Sequence, residues 1–291
     1  MTTRVARSRK EISKPLGCAR KDKTNKKEKR CKRTTNSKTR SKELQPAPST
    51  NLLQRLYVTC EDVFKSGDAN LPSADVQTLR LILDSMVPED VGLSPEIKFF
   101  NPSNAPEEVP KVGYTSIHQC KNYSLCIFFL STNAVIPLHN HPGMTVFSKL
   151  LIGTMHVKAY DWVNQVESED STTSPSKLRL AKLKANSIFT APCDTSVLYP
   201  TSGGNIHEFR AITPCAILDV IGPPYSVEED RDCSYFKDIP YSAFPIGGKG
   251  SLINKEEADS YGWLEEIKET PKEAQIYGVC YMGPQIIETT P

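Results

Sequence analysis

The sequence predicts a mainly β domain that follows two amphipathic helices and a basic amino-terminal segment. From about residue 112 onward, short apolar runs alternate with turn residues, a spacing typical of a β-sandwich or barrel. Before these runs, apolar residues recur every three or four positions, which is typical of helices. The roughly 240 residues after the basic segment are enough for one large β domain or two small ones.

The amino-terminal segment differs from the rest of the chain in charge. Seventeen of the 36 Lys and Arg residues, but only four of the 34 acids, lie in residues 1–50, a net charge of +13. The rest carries 19 basic and 30 acidic residues, a net charge of −11. Because residues 1–48 have almost no aromatic or branched apolar side chains, they are predicted to form a disordered basic tail. Residues 49–291 are predicted to form the folded domain.

Composition argues against a membrane protein and against a disulfide framework. No run of 18 or more apolar residues occurs, and the amino terminus lacks the apolar core of a secretory signal. The nine cysteines are odd in number, and none are spaced Cys-x-x-Cys. We therefore expect a reducing compartment and no membrane partner.

Two helices are predicted before the strands, packed outside the β domain. The first follows the possible cap residues Ser49, Thr50 and Asn51, and its apolar stripe consists of Leu53, Leu56, Tyr57, Cys60, Val63 and Phe64. The second is capped by Ser73, ends near Pro88 and has the stripe Val76, Leu79, Ile82, Leu83 and Met86.

Strands are predicted in seven apolar runs, at residues 124–130, 145–152, 154–162, 187–190, 196–199, 206–212 and 216–221. Residues 88–110 are predicted to form a loop, and the polar stretch 164–175 an exposed loop. After Pro224 the chain is predicted to be irregular to about Gly262. A last strand is predicted at residues 275–282.

Three of the five histidines lie in two segments rich in Gly and Pro, residues 137–144 and 200–207. Residues two apart in a strand point to the same face, so His139 and His141 can present both imidazoles to one ion. His207 could close the site from a neighbouring strand and leave coordination positions for substrate. The other two, His118 and His156, are expected to be hydrogen-bonded core or surface residues.

These histidines occur in a pattern that resembles the cupins. The first cupin motif has His-x-His, then Glu, then Gly; His139, His141 and Gly153 fit it, but Val146 occupies the Glu position. The replacement removes a carboxylate ligand and leaves three neutral ones, which do not cancel any of the metal's charge. Such a centre favours an anionic ligand from the substrate, and a thiolate is a soft and suitable one.

The second cupin motif is matched more loosely, by Pro200, Gly204 and His207, with Ala211 in place of the usual Asn. Among cupins, the chain resembles the cysteamine dioxygenase and plant cysteine oxidase family. The resemblance runs from about Leu52 to Pro284 and is carried by residues 136–146, 153–162, 202–207 and 215–225.

This resemblance implies a cupin double-stranded β-helix, or jelly-roll barrel, in which His139, His141 and His207 bind non-haem Fe(II). It also implies an enzyme that uses O2 to convert the N-terminal cysteine of target proteins to cysteine sulfinic acid. For plant members it implies oxygen sensing through the Arg branch of the N-degron pathway, with transcription factors of the hypoxia response as substrates.

The resemblance further implies that Asp219 and Tyr225 are substrate-pocket residues. An aspartate there could pair with the α-ammonium group of an N-terminal residue; the alternative is a strand-end carboxylate that backbone amides satisfy. Cys233 and Tyr235 match the family's Cys-x-Tyr, where a thioether has been associated with the animal member. For Cys233 we prefer an ordinary buried thiol. Asp232 stands where a histidine is often found before this cysteine.

The tail has two interpretations. Its cluster Lys26–Arg33 resembles a nuclear localisation signal, which predicts a nuclear and cytoplasmic protein; alternatively, the tail binds nucleic acid through phosphate contacts. The competing hypothesis for the whole chain is therefore a non-catalytic cupin that binds a metal or small ligand and whose tail binds nucleic acid. We favour the enzyme, expect a monomer, and regard a nucleic-acid partner as the weaker hypothesis.

Overall fold

The structure is a computed structural model and describes residues 51–94, 97, 99–100, 110–163, 178–243 and 257–288. The tail predicted at residues 1–48 and the loop predicted at 164–175 lie outside these residues. Among the helices of the described part, none is long and apolar enough to cross a membrane.

Two helices begin the described chain, α1 at Leu52–Val63 and α2 at Ser73–Ser85. The Asn51 side chain caps α1 by accepting a hydrogen bond from the Gln54 backbone N–H at 3.3 Å. Both helices bury the apolar stripes that the sequence predicts, except that Val63 is only partly buried. The two predicted helices are therefore confirmed, but Ser73 is the first residue of α2 and not its cap, and no side chain caps this helix.

The strands form two sheets. They are β1 Val112–Gln119, β2 Ser124–Leu130, β3 Val135–Asn140, β4 Thr145–Ile152, β5 Thr154–Trp162, β6 Leu178–Thr190, β7 Ser196–Leu198, β8 Ile206–Ala211, β9 Cys215–Gly222, β10 Tyr235–Pro240, β11 Tyr261–Ile267 and β12 Ile276–Gly278. The first sheet has the order β12-β1-β2-β9-β4-β7, and the second closes as a barrel in the order β10-β11-β6-β5-β8-β3. Neighbouring strands are antiparallel except for β1 and β12. The mainly β fold with helices outside is confirmed.

The helices pack against the first sheet, where α1 and α2 share a core cluster with side chains of β2, β4 and β9. Every residue of β9 is buried, because this central strand has a covered surface on both faces. At its end, a Cβ on Gly222 would lie 2.1 Å from the Phe64 ring, so only glycine lets the end of α1 approach this closely.

Several strand predictions are wrong. Residues 225–262 are not irregular throughout, because β10 and the start of β11 lie there and complete the barrel. Each strand contains two adjacent charged residues, Lys237 and Asp238 in β10 and Glu265 and Glu266 in β11. These pairs interrupt the apolar pattern by which a strand is recognised in the sequence. Strands β1 and β3 were not predicted, β6 begins nine residues before the predicted 187, and the last strand covers only Ile276–Gly278.

Candidate metal centre

Three histidines converge inside the barrel. His139 of β3 lies directly opposite His207 of the antiparallel strand β8, and His141 follows the end of β3. The ring centroids are 4.8 Å apart for the pairs His139–His207 and His141–His207, and 4.9 Å apart for His139–His141. Two adjacent strands thus bring together residues 66 positions apart in the chain.

The nitrogens of this triangle can reach one ion. One ring nitrogen from each histidine lies within 4.8 Å of the others, and the Nε2 atoms of His141 and His207 are 3.1 Å apart. Burial lowers the pKa of His139 to about 4. Burial, together with neighbouring imidazoles, lowers the pKa of His141 and of His207 well below the ordinary value. The imidazoles are therefore neutral at physiological pH, which is the protonation state that binds metals.

Hydrogen bonds set the tautomers of two of these imidazoles. The Nδ1 of His139 lies 2.8 Å from the Pro137 carbonyl oxygen, which can only accept, so Nδ1 carries the proton. The Tyr225 hydroxyl donates to the Asn140 carbonyl oxygen at 2.9 Å and therefore accepts from Nδ1 of His141, also at 2.9 Å. Each arrangement leaves an unprotonated Nε2 as the free donor atom for a metal.

Asn205 holds the backbone at His141. Its side-chain oxygen accepts from the His141 N–H at 3.2 Å, and its amide donates to the carbonyl oxygens of His141 at 2.8 Å and Tyr199 at 2.7 Å. The side chain is buried, so these bonds are not in competition with water. Asn205 thereby fixes the first histidine segment against the turn that precedes β8.

Asp161 of β5 fixes that turn in place. Its carboxylate accepts the backbone N–H groups of Gly203 at 3.0 Å, Gly204 at 2.8 Å and Asn205 at 3.1 Å. Gly204 has a φ of +87°, and a Cβ there would lie 2.8 Å from the Ala159 side chain. The motif glycine, three residues before His207, is thus required by both backbone conformation and space. The sequence alone does not predict these roles of Asp161 and Asn205.

The predicted residues Tyr225, Cys233 and Tyr235 lie beside the histidines. The Cys233 thiol hydrogen-bonds with both tyrosines, and burial raises the pKa of this thiol to about 11. Tyr235 lies opposite His139 in the sheet, with 6.3 Å between the two rings. Tyr225 is 38% exposed, but its hydroxyl points inward to His141. These three side chains form one wall of the site.

Asp219 occupies the first sheet, across from Cys126 on one side and Ser148 on the other. It is 5% exposed, its hydrogen bond comes from the Ser148 side chain, and its Oδ1 atom is buried without a partner. Burial raises the pKa of Asp219 to about 7. The alternative interpretation, a carboxylate satisfied by backbone amides, therefore does not describe its surroundings.

A cavity of about 80 Å³ lies against His207. Ser148, the partner of Asp219, lines it together with His207. Val146, at the position of the cupin glutamate, is also in its wall. The cavity has room for a few non-hydrogen atoms, such as a side chain of cysteine size, and its wall is mostly apolar.

The donor set fits a metal ion. Three buried, neutral imidazoles face one point, and in the part of the chain that the structure describes no carboxylate joins this group. A closed β-barrel that holds three histidines in this way fits a metal-binding cupin.

Comparison with known proteins gives the family. The model of the PCO_ADO family matches residues 82–286. Plant cysteine oxidase 1 of Arabidopsis thaliana is 48% identical over 83% of this chain and 82% of its own length. Plant cysteine oxidase 2 of the same plant is also 48% identical, over 81% and 83%. The 2-aminoethanethiol dioxygenase of Mus musculus is 28% identical over 73% of this chain and 85% of its own length. The chain belongs to the PCO_ADO family and is an enzyme of the thiol dioxygenase type.

Proposed function

We propose that this enzyme uses Fe(II) and O2 to convert an N-terminal cysteine of a protein to cysteine sulfinic acid. The reaction is R–SH + O2 → R–SO2H, so both oxygen atoms end on sulfur and no other reductant is needed. The observation that carries the proposal is the buried triangle of neutral histidines in a chain of this family. Relatives named as an oxidase and a dioxygenase favour this enzyme over a non-catalytic cupin.

His139, His141 and His207 would hold the iron. When bound there, the iron supplies the redox centre at which a thiol and O2 react. The protein's contribution is to exclude water through the buried barrel interior and to keep the Nε2 atoms of His139 and His141 unprotonated through hydrogen bonds at Nδ1. Positioning of the reactants is therefore the main catalytic device of the chain, and no acid–base pair is required.

The free atom of Asp219 supports recognition of an N-terminal residue. A buried carboxylate oxygen without a partner is costly, and an ammonium donor would satisfy it. The Ser148 hydroxyl holds the other part of the carboxyl group at the cavity wall. An N-terminal cysteine carries a thiol and a positively charged α-ammonium group close together. This pair of groups suits a cavity bounded by His207 and by Ser148, the hydrogen-bond partner of Asp219.

The biological role follows as part of the same proposal. The 48% identity to two plant cysteine oxidases supports oxygen sensing, in which oxidised N-termini enter the Arg branch of the N-degron pathway. Transcription factors of the hypoxia response are the proposed substrates. Residues 26–33 are proposed to direct the protein to the nucleus as well as the cytoplasm.

Mass spectrometry of peptides tests the chemistry. A peptide that begins with Cys should gain two oxygen atoms when incubated in air with the Fe(II)-loaded protein, and its N-acetylated copy should react at least tenfold more slowly. His207→Ala should abolish the reaction, while the matched control His156→Ala, in a strand that pairs with β8, should retain it. Equal rates for the two peptides would contradict N-terminal recognition but leave a thiol dioxygenase. An active, iron-loaded His207→Ala protein would contradict the ligand assignment.

A further inference from the structure

We propose that Glu61, His118 and Cys120 form a second metal site, with a donor set suited to Zn²⁺, outside the barrel. Glu61 lies on α1, His118 near the end of β1, and Cys120 just after that strand. One donor atom from each residue lies within 4.8 Å of the other two. The site shares no residue with the three-histidine centre, and its thiolate, imidazole and carboxylate donors are those that zinc binds in proteins.

His118 provides the observation that points to a ligand. The sequence predicts a hydrogen-bonded histidine here, and that prediction is wrong for Nε2, which is buried without a hydrogen-bond partner. The nearest carboxylate oxygen, Oε1 of Glu61, is 3.8 Å from Nε2, too far for a hydrogen bond. A buried nitrogen that lacks a partner is costly unless something occupies the space in front of it. A cation between Nε2 and Oε1 would satisfy both atoms.

The distances suit an ion of this size. Two donors at about 2.0–2.3 Å from a zinc ion are at most about 4.4 Å apart. The separation of 3.8 Å between Nε2 and Oε1 is within that limit. A water molecule would complete four-coordination on the solvent side.

The surroundings hold the donors in place before an ion binds. The His118 ring lies between Tyr57, at 5.0 Å, and Tyr123, at 5.4 Å. The Tyr123 hydroxyl also donates to Oε1 of Glu61 at 2.5 Å, and its carbonyl oxygen accepts the Cys120 backbone N–H at 3.0 Å. The Cys120 thiol also contacts this carbonyl oxygen, at 3.6 Å. One tyrosine therefore touches all three donor side chains, which lowers the entropy lost on binding.

A second carboxylate lies on the other side of the imidazole. Oε1 of Glu288, in the carboxyl-terminal segment, is 3.8 Å from Nδ1 of His118. At this distance no hydrogen bond is formed, but the Glu288 side chain is 76% exposed and can approach Nδ1 more closely. A carboxylate bonded at Nδ1 would favour the tautomer in which Nδ1 carries the proton and Nε2 binds the metal, as in many carboxylate–histidine–zinc arrangements. An ion at this position would join α1, the β1–β2 connection and, through Glu288, the carboxyl-terminal segment.

Cobalt binding tests the proposal, because a cobalt–thiolate bond absorbs in the near ultraviolet and a three-histidine site has no thiolate. The full-length protein, stripped of metal by a chelator, is titrated with Co²⁺ without added thiol, and bound ions per chain are counted by mass spectrometry. We expect two ions per chain and a charge-transfer band that Zn²⁺ removes. Cys120→Ser should lose the band and one ion. Cys233→Ser is the matched control, because Cys233 lies beside the histidines, and it should keep the band.

Three outcomes would overturn the site: no band in the wild-type protein, a band that survives Cys120→Ser, or a band lost in Cys233→Ser alone. If Cys120→Ser does not fold, Glu61→Gln decides the question, because Glu61 is partly exposed and its amide keeps the shape of the side chain. In that variant the second ion should bind at least tenfold more weakly, and unchanged affinity would contradict the proposal. Absence of the band in a folded wild-type protein would leave His118 as an ion-paired histidine.

Discussion

Two buried aspartates, one in each sheet, differ in how their carboxylates are satisfied. Asp161 in the barrel accepts three backbone N–H groups from the turn before β8. Asp219 in the other sheet is bonded to the Ser148 side chain and has one oxygen without a partner. The two are similarly buried, at 9% and 5% exposed, so burial alone does not distinguish them.

The comparison separates a structural carboxylate from one available to a ligand. Three fixed N–H donors make Asp161 part of the scaffold, because its removal would leave those donors buried and unpaired. Asp219 keeps an unused acceptor at a cost to stability, and such sites are typical of functional positions. Three of the four experiments below test this difference, and the other tests the tyrosine that contacts the metal centre.

The largest effect is expected for Asp161→Ala. Three buried N–H groups would lose their acceptor, so the free energy of unfolding should fall by about 3 kcal/mol or more. Iron content should fall as well, because the turn that carries His207 loses its support. Denaturant unfolding measures the first effect and metal analysis the second. Asp62→Ala, on the exposed side of α1, is the control and should change stability by less than about 0.5 kcal/mol. A stable Asp161→Ala protein with full iron would show that the turn needs no such anchor.

Asp219→Asn should lower the reaction rate and leave the iron content unchanged. The amide keeps the shape but loses the charge that pairs with an ammonium, so the rate on an N-terminal Cys peptide should fall about 100-fold, or about 3 kcal/mol at 1.36 kcal/mol per decade. Iron content should be unchanged. Steady-state rates at saturating iron measure the loss, and an equal loss on the N-acetylated peptide would argue against ammonium recognition. Loss of iron would instead make Asp219 a support of the metal centre.

Tyr225→Phe should have a smaller effect, on the metal rather than on the peptide. It removes the acceptor of the His141 Nδ1 proton and the donor to the Asn140 carbonyl oxygen. Affinity for Fe(II) should fall about tenfold, while the rate at saturating iron changes little. The dependence of rate on iron concentration measures this. A change confined to the KM for peptide would assign Tyr225 to the substrate pocket, as the family resemblance implies.

The smallest effect is a pH dependence of stability. The pKa of Asp219 is about 7 in the folded chain and near its ordinary value when unfolded, so the folded state binds the extra proton between these values. Its contribution to stability is complete below about pH 4 and is lost as pH rises through 7, by roughly 1 kcal/mol between pH 6 and 8. In metal-free protein, the free energy of unfolding of Asp219→Asn should therefore fall less between pH 6 and 8 than that of the wild-type protein. Parallel stability curves for the two proteins would contradict the raised pKa.

Much of the site was predictable because the signals are local. The two-residue spacing of His139 and His141 predicts that both lie on one face of a strand. The Gly-rich turn before His207 predicts that a second strand begins there. The two helices follow from apolar stripes that the structure buries. The functional residues that the sequence analysis missed, Asp161 and Asn205, have no local signal. Each acts through a hydrogen bond to a residue more than 40 positions away.

Strands β10 and β11 show a second limit. Their charged residues leave weak apolar alternation, so pairing in the barrel, rather than intrinsic preference, makes them strands. The motif glycine Gly204 was visible in the sequence, but the reason for it, the approach to Ala159, was not.

The sequence by itself determined which residues have the chemistry: three histidines at ligand spacing, a valine in place of a carboxylate ligand, and a mainly β chain with two leading helices. Only the tertiary structure decided which groups meet and which remain unsatisfied. Residue type sets the number of hydrogen-bond donors and acceptors. Which of them find partners depends on distant parts of the chain that folding brings near. Asp161 finds its partners in this way, whereas Asp219 Oδ1 and His118 Nε2 find none. Hydrogen bonds act over about 3 Å, and separation along the chain does not reveal which atoms lie within that distance.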